Sequence, residues 1–400
     1  MKTYILLFGI TGDLSKRMLL PSIEFLLKAN KIKVEHLYGV SRRDIDINEI
    51  LELSLGNEAK ESILKNKISS IKLSDKLADY ISFKESIKLD SNSQLLIYLS
   101  VPPTSACDYV EWLGKAGLNT KNVKLLLEKP FGTDYESAST FLESIDKYYK
   151  EDQVYKVDHY LAKKNAQLLI EFRKHMKTKY DLKNIKEITV AASETIDIQG
   201  RGIFYEQTGA LRDFIQGHLL ELLLLVICNI PVKASDIVNK RVLAVKKLSL
   251  VPTECFRAQY ESYKDEVQNA NTVVETFASI ALADSRHPHI KINLVTGKAL
   301  EKKETYIEIS FKDKTTDKIF ITPDVVFPHN FKPSSSPLDG YKAVFLGAIN
   351  NNKTIFTSSK EILASWKIFD PLLALWTKDK SITNYTQGAN MLTILTKVKL

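Results

Sequence analysis

The sequence predicts a two-domain α/β protein. A doubly wound parallel-sheet domain spans residues 1–157, and an α+β domain with a large, mostly antiparallel sheet spans 158–400. Three observations predict this. A chain of 400 residues is too long for one ordinary core. Its first part alternates wholly apolar runs with helical periodicity, the mark of parallel strands covered on both faces. Its second part carries runs that alternate apolar and polar residues, as antiparallel strands with one wet face do.

The elements follow in order. YILLFGI is the first apolar strand, and the turn GITGD leads into the helical pattern LSKRMLLPSIEFLLKAN. HLYGV is a second strand and ends in Ser41-Arg42-Arg43. QLLIYLSV and VKLLLE are further buried strands, separated by the helical SACDYVEWLGKAG after Pro102-Pro103. Beyond residue 157, a helix from about Lys163 to Lys177 precedes the strand KEITVAASET and a long helix from Ala210 to Cys228. FASIALAD, HIKINLV, TYIEISF and DKIFIT then read as strands, and SSKEILASWKIFDPLLALW as the last recognisable helix. There is no internal repeat, and KPSSSP is the one low-complexity patch.

Composition excludes several classes. At 44% apolar and 26% charged, the chain is an ordinary soluble globular protein. The net charge of +8 comes from 56 basic against 48 acidic residues spread along the sequence. With no basic block and no zinc spacing, neither nucleic acid nor a metal is expected, and anionic small molecules suit the charge equally well. Cys107, Cys228 and Cys255 are few, odd in number and far apart, which points to a reducing compartment. MKTYILLFGI resembles a short signal peptide, but no small-residue cleavage site follows, so it reads better as a buried strand. The apolar run Leu219–Val232 is interrupted by Glu221 and Asn229 and is too short to span a bilayer. The expected location is cytoplasmic, with no membrane partner.

Two stretches carry chemistry. The loop Gly9-Ile10-Thr11-Gly12-Asp13-Leu14 lies between strand and helix, where free backbone amides and the helix dipole attract phosphate. Its G-x-x-G-D-L spacing differs from the usual G-x-G-x-x-G of Rossmann-type domains. Arg42 stands where the second strand ends, the place that meets the adenosine ribose; an arginine there suits a 2′-phosphate, whereas NAD sites prefer an acid. A surface Arg-Arg pair is the plainer reading, but with the strand order it favours NADP over NAD. The second stretch is KVDHYLAKK, with Asp158, His159, Tyr160 and Lys163 close together. On its own it fits a solvated loop as well as a ligand site.

GITGDLSKR, GVSRRD, LEKPFGTD, VDHYLAKK, GRGIFYEQTGALRDFIQGH, TGKAL and SWKIFDPLL, in this order, resemble glucose-6-phosphate dehydrogenase from near the start to about Leu373. DHYL-x-K followed by RD-x-x-Q-x-H is a highly specific combination. The resemblance implies oxidation of glucose 6-phosphate at C1, with hydride passed to NADP+, the first step of the pentose phosphate pathway. It implies that His159, Tyr160 and Lys163 hold the 6-phosphate, a dianion that wants an ammonium and N–H or O–H donors. His218 would be the general base and Asp158 its orienting acid. Read alone, a single histidine before LLELLLLVIC is more often a core residue. By the same resemblance Glu194 and Asp213 bind sugar hydroxyls, Lys129 sits between cofactor and sugar, and Lys298 reaches the substrate. On an α-helix Asp213 and His218, five residues apart, would sit about 140° apart around the axis and would not stack.

The chain also departs from that pattern. Met18 stands where relatives carry a lysine, and Gly217 replaces the asparagine of the family's QNH. Lys303 stands where some relatives have an arginine near the substrate. Glu304 and Glu308 replace basic residues, so no second, structural NADP is expected. Between DKIFIT and LDGYKAVFLGAI only PDVVFPHNFKPSSSP intervenes, shorter than in relatives. The family dimerises on that sheet, so a homo-oligomer is expected only with its usual dimer in question. Two alternatives remain: an NADP-dependent dehydrogenase of another sugar phosphate, raised by Gly217, and a catalytically weak regulatory homologue, raised by the short stretch.

Overall fold

In the computed structural model, which describes residues 1–87, 89–324 and 326–398, six parallel strands build the first sheet. They are β1 (Lys2–Phe8), β2 (His36–Ser41), β3 (Ile68–Lys72), β4 (Ser93–Leu99), β5 (Val123–Leu127) and β6 (Val154–Val157). Their order is β6-β5-β4-β1-β2-β3, with the two-residue strand Phe356–Thr357 added antiparallel to β6. Every residue of β4 and β5 is buried, which is why these stretches, apart from the buried Ser93, Gln94 and Lys124, are apolar without alternation. β1 pairs with both β2 and β4, Leu6 standing opposite Tyr38 on one side and Ile97 on the other. The strand order therefore reverses beside β1, and the crevice at the carboxyl ends of β1 and β4 is where doubly wound sheets bind ligands.

By packing, the first compact unit comprises Met1–Gly132, Glu136–Ala162 and Leu338–Ser359. A sequence boundary near residue 157 leaves out the returning segment, whose helix Tyr341–Ile349 and strand Phe356–Thr357 join the core of this sheet. Sequence adjacency could not reveal that return.

The second unit comprises Thr133–Tyr135, Lys163–Pro337 and Lys360–Leu400. Its sheet contains β7 (Ile185–Ser193), β8 (Leu248–Leu250), β9 (Phe256–Tyr260), β10 (Phe277–Asp284), β11 (Lys291–Gly297), β12 (Glu304–Phe311) and β13 (Thr316–Thr322). The order is β13-β12-β7-β11-β10-β9, then Thr383–Tyr385, while β8 pairs with β10. Pairing is mostly antiparallel, but β7 and β11 run parallel, Val190 opposite Leu294. Burial alternates residue by residue along β12, as expected of a strand with one covered face. All eight residues of the helix Leu220–Ile227 are buried, which accounts for the apolar run after His218. Arg241, fully buried, is paired with Glu361 at 2.6 Å and Glu221 at 3.7 Å.

The short stretch after β13 folds back on the helix Lys164–His175. Phe327 and Phe331 pack on Phe172 with ring centroids 4.9 and 5.3 Å away. His329 lies 2.7 Å from Asp317, and the amide of Ser334 donates to Glu171. Val325, within this stretch, lies outside the described residues. A strand Thr383–Tyr385 and a helix Met391–Val398 follow the last helix that the sequence reading recognised.

Candidate active site

In the first unit the chain leaves β1 through Gly9, whose φ of +72° favours glycine. A Cβ at Gly9 would lie 2.1 Å from the carbonyl oxygen of Ser100, the residue that follows β4. The loop closes tightly: the amide of Gly12 donates to Gly9 O at 2.9 Å, and the Ser15 hydroxyl to the same oxygen at 2.8 Å. Ile10 is buried and fills the space left by Gly39 of β2, whereas Thr11 and Asp13 are exposed and Gly12 and Leu14 partly so. Asp13 pairs with Arg17 at 3.3 Å across the next turn. This cradle fits a dinucleotide pyrophosphate, because backbone can approach backbone only where Cβ is missing. Arg42 is exposed just past β2.

Lys129, just past β5, points its ammonium at Asp158, just past β6, with Nζ 2.7 Å from Oδ2. Asp158 is fully buried, and its Oδ1 accepts the amides of Tyr160 at 2.8 Å and Leu161 at 3.4 Å. Its carboxylate thus shapes the turn that presents His159 and Tyr160, whose rings lie 4.8 Å apart and are partly exposed.

In the second unit Lys298 organises the cluster. Its ammonium pairs with Glu194 and lies 3.8 Å from Asp213, over the ring of Tyr205 at 5.3 Å. The backbone sets this up: β7 and β11 end side by side, with the amide of Glu194 donating to Gly297 O and that of Lys298 to Thr276 O. Burial raises the carboxyl of Asp213 above its usual range, while Lys298 and His218 pull it back. Lys163 stands at the position just before the helix Lys164–His175 and is partly exposed.

The segment Leu211–Leu219, which carries Asp213 and His218, winds as a π-helix and not as the expected α-helix. This corrects the separation of about 140°: with i→i+5 hydrogen bonds, residues five apart stand close to one turn apart and share a face. His218 is buried, with its ring edge-on to Phe214 at 5.4 Å. Gly209, held at φ +61° and ψ 179°, forms the kink just before the segment, and the amides that follow it bond to Glu275: Ala210 N–H to the carbonyl and Leu211 N–H to the carboxylate, both at 2.9 Å. Gln216 donates to Ser365 at 2.8 Å and steadies the far end.

The family described as "Glucose-6-phosphate dehydrogenase, NAD binding domain" matches residues 6–167, and its C-terminal domain matches 168–326 and 322–393. The chain belongs to the glucose-6-phosphate dehydrogenase family. The two C-terminal matches meet where the short stretch lies, immediately after β13. Glucose-6-phosphate 1-dehydrogenase of Helicobacter pylori strain J99 is 29% identical over 400 residues, covering 92% of each chain. The glucose-6-phosphate 1-dehydrogenase structure from Mycobacterium avium is 26% identical with a TM-score of 0.84, covering 97% of this chain and 94% of that one. A glucose-6-phosphate dehydrogenase structure in complex with glucose 6-phosphate has a TM-score of 0.87 at 23% identity, covering 100% of this chain and 98% of that one, and supports the fold.

Membership of this dehydrogenase family brings a nicotinamide-dinucleotide-binding domain, and the Gly9 loop lies within the matched residues. Within the first unit the structure brings Lys129, Asp158, His159 and Tyr160 together; within the second it joins Glu194, Asp213 and Lys298, with His218 one π-turn on. Lys303 is exposed in the turn before β12 and, among the described residues, pairs with none of that second cluster. Sequence reasoning missed Tyr205, Glu275 and Glu128: Tyr205 meets Lys298 and Glu275 meets Leu211 across whole elements, and Glu128, though next to Lys129, finds its tyrosine partners Tyr98 and Tyr341 on other elements, so no local spacing marks these contacts. Among the described residues no helix is long and apolar enough to cross a membrane, and no group of three or more His, Cys, Asp or Glu could hold a metal.

Proposed function

We propose that this chain oxidises glucose 6-phosphate at C1 to the 6-phosphoglucono-lactone with NADP+ as the hydride acceptor, as the first step of a cytoplasmic pentose phosphate pathway. The observation that carries this reading is Lys298 held by Glu194 and Asp213, with His218 on the same face of the π-helix as Asp213. Two carboxylates and an ammonium supply acceptors and a donor for sugar hydroxyls. His218 takes the proton of the C1 hydroxyl as hydride leaves that carbon, a task for which an imidazole is suited near neutral pH. Asp158 is its acid partner in the proposal, on the family resemblance. His159, Tyr160 and Lys163 hold the 6-phosphate, and Lys129 serves cofactor and sugar.

The Gly9–Leu14 loop would hold the pyrophosphate and Arg42 the 2′-phosphate of NADP+; the nicotinamide, when bound, supplies the two-electron hydride acceptor. The test is direct. Purified protein is mixed with glucose 6-phosphate and either NADP+ or NAD+, and the reduced-nicotinamide absorbance is followed. Turnover with NADP+ exceeding that with NAD+ supports the proposal. No turnover with either cofactor, or turnover only with another sugar phosphate, overturns it.

A further inference from the structure

Glu128 directly precedes Lys129 and is partly buried at the end of β5. Its carboxyl accepts hydrogen bonds from the hydroxyls of Tyr98 on β4 and Tyr341 on the helix Tyr341–Ile349. The charged groups that face it are Asp158 and Lys129, which are themselves paired at 2.7 Å. Tyr341 in turn lies almost parallel to the ring of His159, with centroids 6.4 Å apart and planes at 17°. One carboxyl therefore bears on both features of this unit's half of the proposed chemistry: by its charge on the lysine-aspartate pair, and through Tyr341 on the seat of His159.

We propose that Glu128 is a positioning residue, which tunes the charge of the Lys129–Asp158 pair and, through Tyr341, fixes the ring of His159. The inference rests on the function proposed above for its kinetic consequence, and on the first unit alone for its physical basis. Burial first, then the neighbouring Asp158, push this carboxyl up to about 7, while the two tyrosine hydroxyls and Lys129 pull the other way. Raising pH through neutrality then adds a negative charge beside Lys129. That charge holds the ammonium more firmly on its carboxylate side and opposes an incoming phosphate dianion near His159. Both effects weaken sugar-phosphate binding as pH rises.

The experiment compares wild type with Glu128→Gln, which keeps the shape and an acceptor but cannot ionise. The ratio of their KM values for glucose 6-phosphate cancels the substrate's own phosphate ionisation, which falls near pH 6. That ratio should be flat on the acid side and climb roughly three- to tenfold between about pH 6 and about pH 8, the scale of one partly screened charge. Tyr98→Phe, which removes a donor that favours the carboxylate, should move the inflection to higher pH. A second readout needs no turnover: the side-chain nitrogen resonance of Lys129 should shift in wild type as Glu128 ionises and stay still in Glu128→Gln. A flat KM ratio in an active enzyme overturns the proposal. So does a Lys129 resonance that behaves alike in both proteins, whether or not glucose 6-phosphate is the substrate.

Discussion

Gly209 leaves no room for a side chain beside Glu275: a Cβ there would stand 2.5 Å from Oε1 of the carboxylate. With φ +61° and ψ 179°, Gly209 also occupies backbone space reserved almost wholly for glycine. Gly209→Ala should therefore destabilise the protein by about 2–4 kcal/mol, combining backbone strain with displacement of a buried acid. Because Glu275 anchors the start of the π-helix, the variant should also raise KM for the sugar phosphate. Thermal unfolding with parallel kinetics checks both; an unchanged unfolding midpoint would show that the joint relaxes freely.

His218→Asn should lower kcat by about 10²–10⁴-fold and leave KM for glucose 6-phosphate nearly unchanged, since proton removal is what is lost. Steady-state kinetics decides this. A variant with near-normal turnover would make His218 a packing residue beside Phe214.

Arg42 is expected to read the 2′-phosphate. Arg42→Ala should weaken NADP+ by roughly ten- to a hundredfold, the range of one charge-assisted hydrogen bond at about 1.4 kcal/mol per decade, and barely change NAD+. Cofactor titrations measure both. Equal losses for the two cofactors would remove Arg42 from that role.

Lys163→Ala should raise KM for glucose 6-phosphate by roughly ten- to a hundredfold while leaving the slow oxidation of free glucose almost untouched. Raised salt should mimic the substitution weakly by screening the phosphate. Proportional losses with both sugars would place Lys163 in the fold and not in phosphate binding.

Arg241→Met should cost about 3–5 kcal/mol, because it leaves Glu361 and Glu221 buried without their cation. Denaturant unfolding is the measure. Adding Glu361→Leu and Glu221→Leu should recover much of the loss, since an apolar core of similar volume stands in for a buried ion cluster at little cost. Failure to recover would point to a packing role for the arginine stem.

Much of the first unit was legible because burial on both faces demands unbroken apolar strands: YILLF, QLLIYL and VKLLL are β1, β4 and β5 almost residue for residue. β3 escaped notice because ISSIK sits at the sheet edge, where its burial alternates and only a few apolar residues are needed. The segment Tyr341–Thr357 gave no sign that it returns to the first sheet, since strand pairing with β6 acts across some two hundred residues of chain.

The site divides in the same way. The sequence by itself determined the local chemistry: a glycine loop after β1, an arginine after β2, and Asp158, His159 and Tyr160 on one turn. Each depends on backbone conformation within a few residues, and residue type carries that information. Only the tertiary structure decided that Lys298 pairs with Glu194 and approaches Asp213, because β7 and β11 run parallel and end together. It alone decided that Leu211–Leu219 winds as a π-helix, which turns Asp213 and His218 onto one face. A wider winding is not preferred by any short run of residues; here it begins at a joint pinned by Glu275, a side chain more than sixty positions away. Contacts of that range follow from how sheets and helices pack, and no local pattern encodes them.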